Sequence, residues 1–397
     1  MAIYLDHAAT TPLRREALEA MLPFFGDQFG NPSSPHSFGR AARRALDEAH
    51  ERIAARLNCG PREVIFTSGG TEALNLAPKG AAWAGRARGH RILTTRVEHH
   101  AALHALRYLE KFGFEVVELA VDRYGRVDPD VVEAALTDRT ILVEIGLANN
   151  EVGTIQPIAE IGRRILTRGP KGCLFAVDAI AAAPYLALDV DALGCDLLAI
   201  AAHKLEGPKG VGSLYLRRGT TILAQQQGGS QERHRRAGTE DVAGAVGMAV
   251  AFDLAAAERD VTVKRLRRQR ERLRVAVMAV PGVEPTGHPK ERLPGLLSVV
   301  VGETDGAAIV TKLDLDGVAA SVGSACTTGS LEPSHVLTAM GYPDDEARGA
   351  VRLSLGRGTT DAEVDAACSI VPRVVAGSRA AAAVLAADPL GQAAALT

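Results

Sequence analysis

Two side chains in this sequence stand where nucleophilic chemistry could be done. Lys204 closes an apolar run, in Ala202-His203-Lys204-Leu205-Glu206-Gly207-Pro208-Lys209-Gly210. An amine at a strand end is desolvated, which lowers its pKa and makes it a better nucleophile for imine formation. The same place also suits a lysine that simply reaches solvent; Lys209, inside the turn, reads that way. Cys326 lies in Ser321-Val322-Gly323-Ser324-Ala325-Cys326-Thr327-Thr328-Gly329-Ser330, a stretch of small and polar residues. A thiol on an exposed arm is more often a chemical tool than a packing residue. Cys59, Cys173, Cys195 and Cys368 sit in apolar or turn contexts and read as structural. Five cysteines without a CxxC pair indicate free thiols in a reducing compartment.

Four further constellations surround these two. Thr67-Ser68-Gly69-Gly70-Thr71-Glu72 follows an apolar run and opens a helix. Its glycines allow a tight turn, and a helix N terminus offers amides to an anion; a plain cap is the alternative. Glu98-His99-His100 holds two adjacent histidines, which cannot share a helix face and make a poor metal pair. A ring that stacks or caps a helix is the better reading. Asp178 ends an apolar strand, where a carboxylate can either cap a helix or partner a protonated ring nitrogen. Arg352, inside Val351-Arg352-Leu353-Ser354, needs an anion: a bound carboxylate or an internal ion pair.

The elements that would position them follow from periodicity. Apolar runs over Glu63–Thr67, Arg91–Thr95, Glu115–Leu119, Ile141–Ala148, Leu174–Asp178, Leu197–Ala201 and Gly212–Leu216 alternate with amphipathic stretches such as Ala101–Lys111 and Pro129–Leu136. That alternation predicts an α/β fold, with a mainly parallel seven-stranded sheet and helices on both faces. In such sheets ligands sit beyond the carboxyl ends of the strands, where these residues fall. A long helix over Val242–Met278 follows, its arginines read as a solvated face. Pro281, Gly282, Pro285 and Gly287 break the chain. Leu296–Val301, Asp305–Leu313, Val318–Ser321, Pro333–Met340 and Ala350–Ser354 then form a smaller α+β domain. The expected division is a large domain over 15–255 and a small one from 1–14 and 256–397. The small domain carries a Cys326 arm over about 321–333 and an Ala-rich, frayed or disordered tail over 377–397.

At 397 residues, with 47% hydrophobic and 23% charged residues, the chain can bury a large core. A formal net charge of -2 gives no reason to expect a nucleic-acid or membrane partner. Its start, MAIYLDHAATTP, lacks the basic and apolar regions of a signal peptide, and no run of about 18 uncharged apolar residues occurs. A cytoplasmic protein is expected.

The order of the motifs resembles the cysteine desulfurases of the NifS and IscS type, within the class-V aminotransferases. The likeness runs from Tyr4 to about Pro372. It is carried by YLDHAATTP, FGNPSS at Phe29–Ser34, EVIFTSGGTE, TRVEHHA, ANNEVGTIQPI at Ala148–Ile158, HKLEGPKGVG, GGSQERHRRAGTED, GSACTTGSLEPSHVL and RLSLGRGTT. The long Cys-bearing arm is similar to that of the NifS/IscS branch rather than the SufS-like one. The resemblance implies the type I fold of pyridoxal-phosphate (PLP) transferases and conversion of L-cysteine to L-alanine. It further implies that Lys204 holds PLP, Asp178 pairs its ring nitrogen, and His99 stacks on the ring and assists proton transfer. Gly70, Thr71 and His203 would hold the phosphate, and Thr239 would reach the phosphate of the other subunit of a homodimer. Asn31, Asn149 and Arg352 would orient the substrate. Cys326 would take the sulfur as a persulfide and pass it to an acceptor protein, such as an Fe–S scaffold or a sulfur-relay protein; it could also touch a transferred Fe–S cluster. No resident metal is implied.

The sequence departs from the family inside the expected pocket. Ile180-Ala181 replaces the usual pair ending in a glutamine that bonds the PLP phenolic oxygen. Ala201 replaces a phosphate-contacting serine, and Ala73-Leu74 replaces Ser-Asp. Glu144 and Gly146 replace small-polar and apolar residues. Weaker retention of PLP is the expectation. Two other activities suit the same motifs: a selenocysteine lyase or other class-V enzyme, and a catalytically weak PLP-fold partner protein.

Overall fold

Short β-branched runs bounded by turns make the strands of this protein, and the crossovers between them make the helices. The computed structural model describes residues 2–323 and 332–387. The strands are β1 (Ile3–Tyr4), β2 (Val64–Thr67), β3 (Arg91–Thr95), β4 (Glu115–Leu119), β5 (Thr140–Gly146), β6 (Leu174–Asp178), β7 (Leu197–Ala201), β8 (Gly212–Leu216), β9 (Val283–Pro285), β10 (Leu296–Val301), β11 (Val318–Ala319) and β12 (Ala350–Ser354). Most bounds fall where the periodicity predicts them. β5 starts one residue earlier and stops two earlier than its apolar run, because Leu147 and Ala148 turn out of the ladder into the next loop. The stretch 281–287 is not only a break, since β9 pairs with β10 inside it.

Strands β2 to β8 form one sheet in the order β2-β8-β7-β6-β5-β3-β4. Neighbours from β7 to β4 are parallel, and β8 runs antiparallel to both β7 and β2. The carboxyl ends of β2, β3, β5, β6 and β7 therefore point to the same edge. Both faces of the sheet are covered. Val143, Ile145, Phe175, Val177 and Leu198 pack on one side, against Leu46, Ile53 and Met248. Leu142, Ala176, Leu197 and Ala199 pack on the other, against Ala73, Leu74 and Ala77 of the helix Gly70–Gly85. Each fully buried aliphatic side chain contributes about 1.5–3 kcal/mol, so this sandwich holds the strand ends firmly.

A second, antiparallel sheet has the order β12-β10-β9, and β1 pairs in parallel with β11. A bridge from Asp6 to Ser354 lays the N-terminal segment beside β12, and one from Ser321 to Arg352 does the same for the stretch after β11. Leu5, Leu297, Val299, Val351 and Leu353 form its core, with residues of two helices. The first is Val242–Met278. Its N-terminal half is buried through Ala243, Met248, Ala249 and Phe252. Its C-terminal half buries one stripe, Leu266, Gln269, Leu273 and Val277, at helical spacing. The arginines there are not merely a solvated face, because Arg268 and Arg272 meet Asp361 and Asp365 of the last helix. That last helix, Asp361–Ala387, covers the first part of the Ala-rich segment 377–397 expected to fray; residues 388–397 lie outside the described residues. Its stretch Asp361–Val384 is long and apolar enough to cross a membrane by composition alone. In this fold Val364, Ala367, Val371 and Val375 are buried in the small-sheet core instead.

Candidate active site

At the carboxyl edge of the large sheet lies a cleft of about 380 Å3. Each wall is the segment that follows one strand. After β7, the 3-10 turn Ala202–Lys204 brings in His203 and Lys204. After β6 come Asp178, Ile180 and Ala181; after β5, Ala148, Asn149 and Asn150; after β3, Val97, Glu98 and His99. Gly70 and Thr71 open the helix that follows β2. Ala8 and Ala9 of the N-terminal segment and Arg352 of β12 close the far side.

Lys204 Nζ donates to the Ala8 carbonyl and, at 2.8 Å, to the Ala9 carbonyl. The amine is thus held by the N-terminal strap. Asp178 accepts from the Ile180 N–H at 2.8 Å. Burial pushes its carboxyl up to about 6, while the Ile180 N–H and the Lys204 charge pull it down. His99 caps the helix His100–Glu110, its Nδ1 accepting from the Ala101 N–H at 3.1 Å, so the neutral ring carries its proton on Nε2. Burial lowers its pKa to about 4, helped by Lys204, His335 and His104, so the ring is neutral near pH 7. His203 is lowered to about 4 by burial and by Lys204, Lys209 and His99, and its Nδ1 lies 3.3 Å from Thr10 Oγ1.

Arg352, 1% exposed, makes the internal ion pair that its place in an apolar strand allows. It faces the cleft, yet its Nη2 pairs with Asp6 at 2.9 Å and its Nη1 donates to the Asn150 carbonyl at 3.0 Å. Its Nε is buried with no hydrogen-bond partner among the described residues. Asn149 lines the cleft, but its amide is already engaged. Oδ1 accepts from the Glu151 and Val152 N–H groups, and Nδ2 donates to the Val97 carbonyl. It shapes the loop before it can read a substrate.

Two expected site residues are not in this cleft. Asn31 is exposed, its Oδ1 turned to the Ser33 N–H at 2.9 Å, and Thr239 is exposed as well. They share a neighbourhood, for Arg43 donates to the Pro32 carbonyl at 3.3 Å and to Glu240 at 3.0 Å. Cys326 and most of its arm lie outside the described residues. The other four thiols are free, and burial pushes those of Cys59, Cys173 and Cys195 up to about 12, which leaves them unreactive.

Two carboxylates to which the sequence reading gave no role, Glu98 and Glu144, are buried at or beside the cleft. Glu98 accepts from Thr95 Oγ1 at 2.6 Å and from the Gly146 N–H at 2.8 Å. Burial, opposed by Thr95 and reinforced by Asp178, pushes it up to about 8. A Cβ on Gly146 would stand 2.9 Å from Glu98 Oε2, so glycine is what lets this carboxyl seat. Glu144 is 1% exposed, and neither of its oxygens has a hydrogen-bond partner among the described residues. An acid in the apolar run Thr140-Ile141-Leu142-Val143-Glu144-Ile145 was the available signal.

These groups fit a phosphorylated aromatic aldehyde. A lysine amine, a carboxylate for a ring nitrogen, a neutral imidazole and a helix N terminus all converge, and first-turn helix amides lack intrahelical acceptors. The wall is more apolar than the family pattern. Ile180 Cδ1 stands 2.4 Å from where a Gly70 Cβ would be, so the Ile180 side chain packs directly over this glycine. Ala201 is fully buried under the same turn.

Comparison with known proteins agrees with this reading. The aminotransferase class-V family model matches residues 3–367. A cysteine desulfurase IscS from Methanosarcina thermophila is 45% identical over 374 residues, covering 94% of this chain and 92% of the relative. One from Dictyoglomus turgidum is 46% identical over 374 residues, covering 94% of each. A solved NifS-like protein superposes with a TM-score of 0.89 at 35% identity, over 94% of this chain and 99% of that one. The chain belongs to the class-V aminotransferase family, in its NifS and IscS branch of PLP-dependent cysteine desulfurases.

Proposed function

We propose that the protein converts L-cysteine to L-alanine and carries the released sulfur on Cys326 for delivery to an acceptor protein. The observation that carries this is the meeting of Lys204, Asp178, His99 and Arg352 in one cleft, from four distant parts of the chain. PLP, when bound, supplies a carbonyl for amine exchange and a ring that accepts electrons from the substrate Cα. The protein supplies the rest. Lys204 would anchor the cofactor, and its amine would move the proton at the substrate Cα. Asp178 would pair with the ring nitrogen, where a cation would repay the cost of its burial. His99 would cover the ring face, offering its Nε2 proton. Gly70, Thr71 and His203 hold the phosphate. Arg352, at the cleft wall, takes the substrate carboxylate, and Asn149 keeps the loop in register. The Cys326 thiolate then attacks the substrate sulfur. The new S–S bond forms as the Cβ–S bond breaks, and the electron pair left on the carbon is protonated to give alanine. The persulfide passes to an acceptor thiol by exchange, the step needed for Fe–S cluster or other sulfur-cofactor assembly.

Asn31 and Thr239, displaced from their own cleft but adjacent on the surface, fit a homodimer in which each serves the partner's pocket. Leu22, Phe25, Phe29 and Phe38 are all more than half exposed, with the Phe29 and Phe38 rings 5.5 Å apart, an apolar surface that a second copy would cover. A division into a large unit over 15–255 and a small one from 1–14 and 256–397 fits the separate cores, and a reducing cytoplasm fits a working free thiol. The test is alanine and sulfide release from L-cysteine. Cys326→Ala should keep the cofactor absorbance and lose nearly all turnover; undiminished turnover would remove Cys326 from the reaction.

A further inference from the structure

The last described residue before Cys326 is Gly323, and the first after it is Glu332. One buried carboxylate touches both flanks. Ser334 Oγ donates to Glu151 Oε2 at 2.5 Å, and the same hydroxyl accepts from the Leu337 N–H at 3.3 Å. On the other flank, a Cβ on Gly323 would stand 3.2 Å from that same Oε2, so the Gly323 backbone packs directly on the carboxylate. Glu151 is only 4% exposed. Burial pushes its carboxyl up to about 7, with the Ser334 hydroxyl and the Arg352 charge opposing. Burying an acid in this way is costly unless its hydrogen bonds are used.

The carboxylate is fixed from below by the substrate side of the cleft. Asn149 Oδ1 grips the Glu151 and Val152 N–H groups at 2.8 and 2.9 Å. The next carbonyl, of Asn150, receives Arg352 Nη1, and the Arg352 backbone exchanges hydrogen bonds with Ser321, two residues before Gly323. The loop that would read the substrate carboxylate and the two roots of the Cys326 segment therefore meet at one side chain.

We propose that Glu151 is a positioning residue for sulfur transfer, fixing both roots of the Cys326 segment against the loop that carries Asn149 and Arg352. The inference rests on Cys326 being the sulfur acceptor. Glu151 itself need not touch substrate or cofactor. Its loss leaves substrate capture intact and spoils the alignment of thiol and sulfur, where an error of about 1 Å can cost up to a hundredfold.

The holoenzyme is mixed rapidly with L-cysteine and read in two ways. The first is the substrate-induced change in cofactor absorbance. The second is persulfide on Cys326, quenched by alkylation and counted by mass spectrometry. In Glu151→Ala and Ser334→Ala the absorbance change should keep its rate and its cysteine dependence within about twofold, while persulfide forms about tenfold or more slowly. Glu151→Gln should recover most of the rate, since its amide oxygen still accepts from Ser334. Ser334→Ala removes one hydroxyl and keeps the test open should Glu151→Ala fold poorly. Wild-type persulfide rates in both variants would overturn the proposal. So would a parallel loss of absorbance change and persulfide, which marks a merely structural role. Absence of persulfide on Cys326 in the wild type would instead sink the underlying reading.

Discussion

Glu144 is the residue whose presence the fold explains least and whose behaviour is easiest to predict. It is buried on β5, its oxygens have no hydrogen-bond partner among the described residues, and burial with Glu98 and Asp178 nearby drives its pKa well above the usual carboxylate range. In the unfolded chain the same group ionises near pH 4.5. Above that pH the folded state binds one more proton than the unfolded state, so stability falls as pH rises. The loss is about 1.4 kcal/mol per pH unit until the folded group itself ionises. Glu144→Gln should therefore be more stable than the wild type at neutral pH, with a gap that widens from pH 5 to 8 in urea titrations. A gap independent of pH would show that Glu144 is ionised in the folded protein. The cofactor wall gives a second prediction at this scale. Ala181 borders open space toward Pro184 and Tyr185, and Ala201 lies under the Gly70 turn. Restoring polar side chains with Ala181→Gln and Ala201→Ser should tighten PLP retention by about tenfold, at about 0.5–1.5 kcal/mol per hydrogen bond. Equilibrium dialysis of the holoenzyme measures it, and unchanged retention would mean these positions do not face the cofactor.

At the scale of elements, the site depends on strand ends being held in register. Gly146 is paired with Asp178 across β5 and β6, and it donates its N–H to Glu98. One methyl there, in Gly146→Ala, must displace the Glu98 carboxyl or shift β5. A cost of about 1–3 kcal/mol is expected from the overpacking, and His99, next in the chain to Glu98, should move with it. The measurable outcome is a lower thermal midpoint together with an altered cofactor spectrum. A wild-type spectrum in a destabilised variant would separate the Glu98 seat from the ring-stacking position. The N-terminal strap is the other such element. β1 is only two residues long, yet it carries Ala8 and Ala9 to Lys204 and Asp6 to Arg352.

For the whole molecule, the question is whether one chain makes a complete pocket. Thr239 and Asn31 lie outside their own cleft, so a site completed across a dimer follows from the proposed roles. Two inactive or weakened chains then test it. Lys204→Ala lacks its own amine but offers an intact Thr239, and Thr239→Ala has the reverse defect. Mixed dimers should contain one fully wild-type pocket out of two, so activity should recover on refolding the two together. No recovery would place Thr239 in service of its own chain or of none.

Much of this protein was legible in its residues. The strand runs and the long helix follow from local hydrophobic period, which depends only on neighbouring residues. Lys204, Asp178, His99 and Gly70 fall just past strand ends, and a parallel sheet gathers such ends on one edge, so their meeting could be expected. What sequence could not decide was which polar groups are already engaged. Asn149 is bound by its own loop, Arg352 by Asp6 and Asn150, and Lys204 by the N-terminal strap, all through contacts between segments far apart in the chain. Nor could it show that Glu98, Glu144 and Glu151 are buried, because a carboxylate's ionisation is set by the solvent and charges that tertiary packing removes or brings near. The types of residue at the strand ends determined the chemistry; the fold decided which of them are free to perform it.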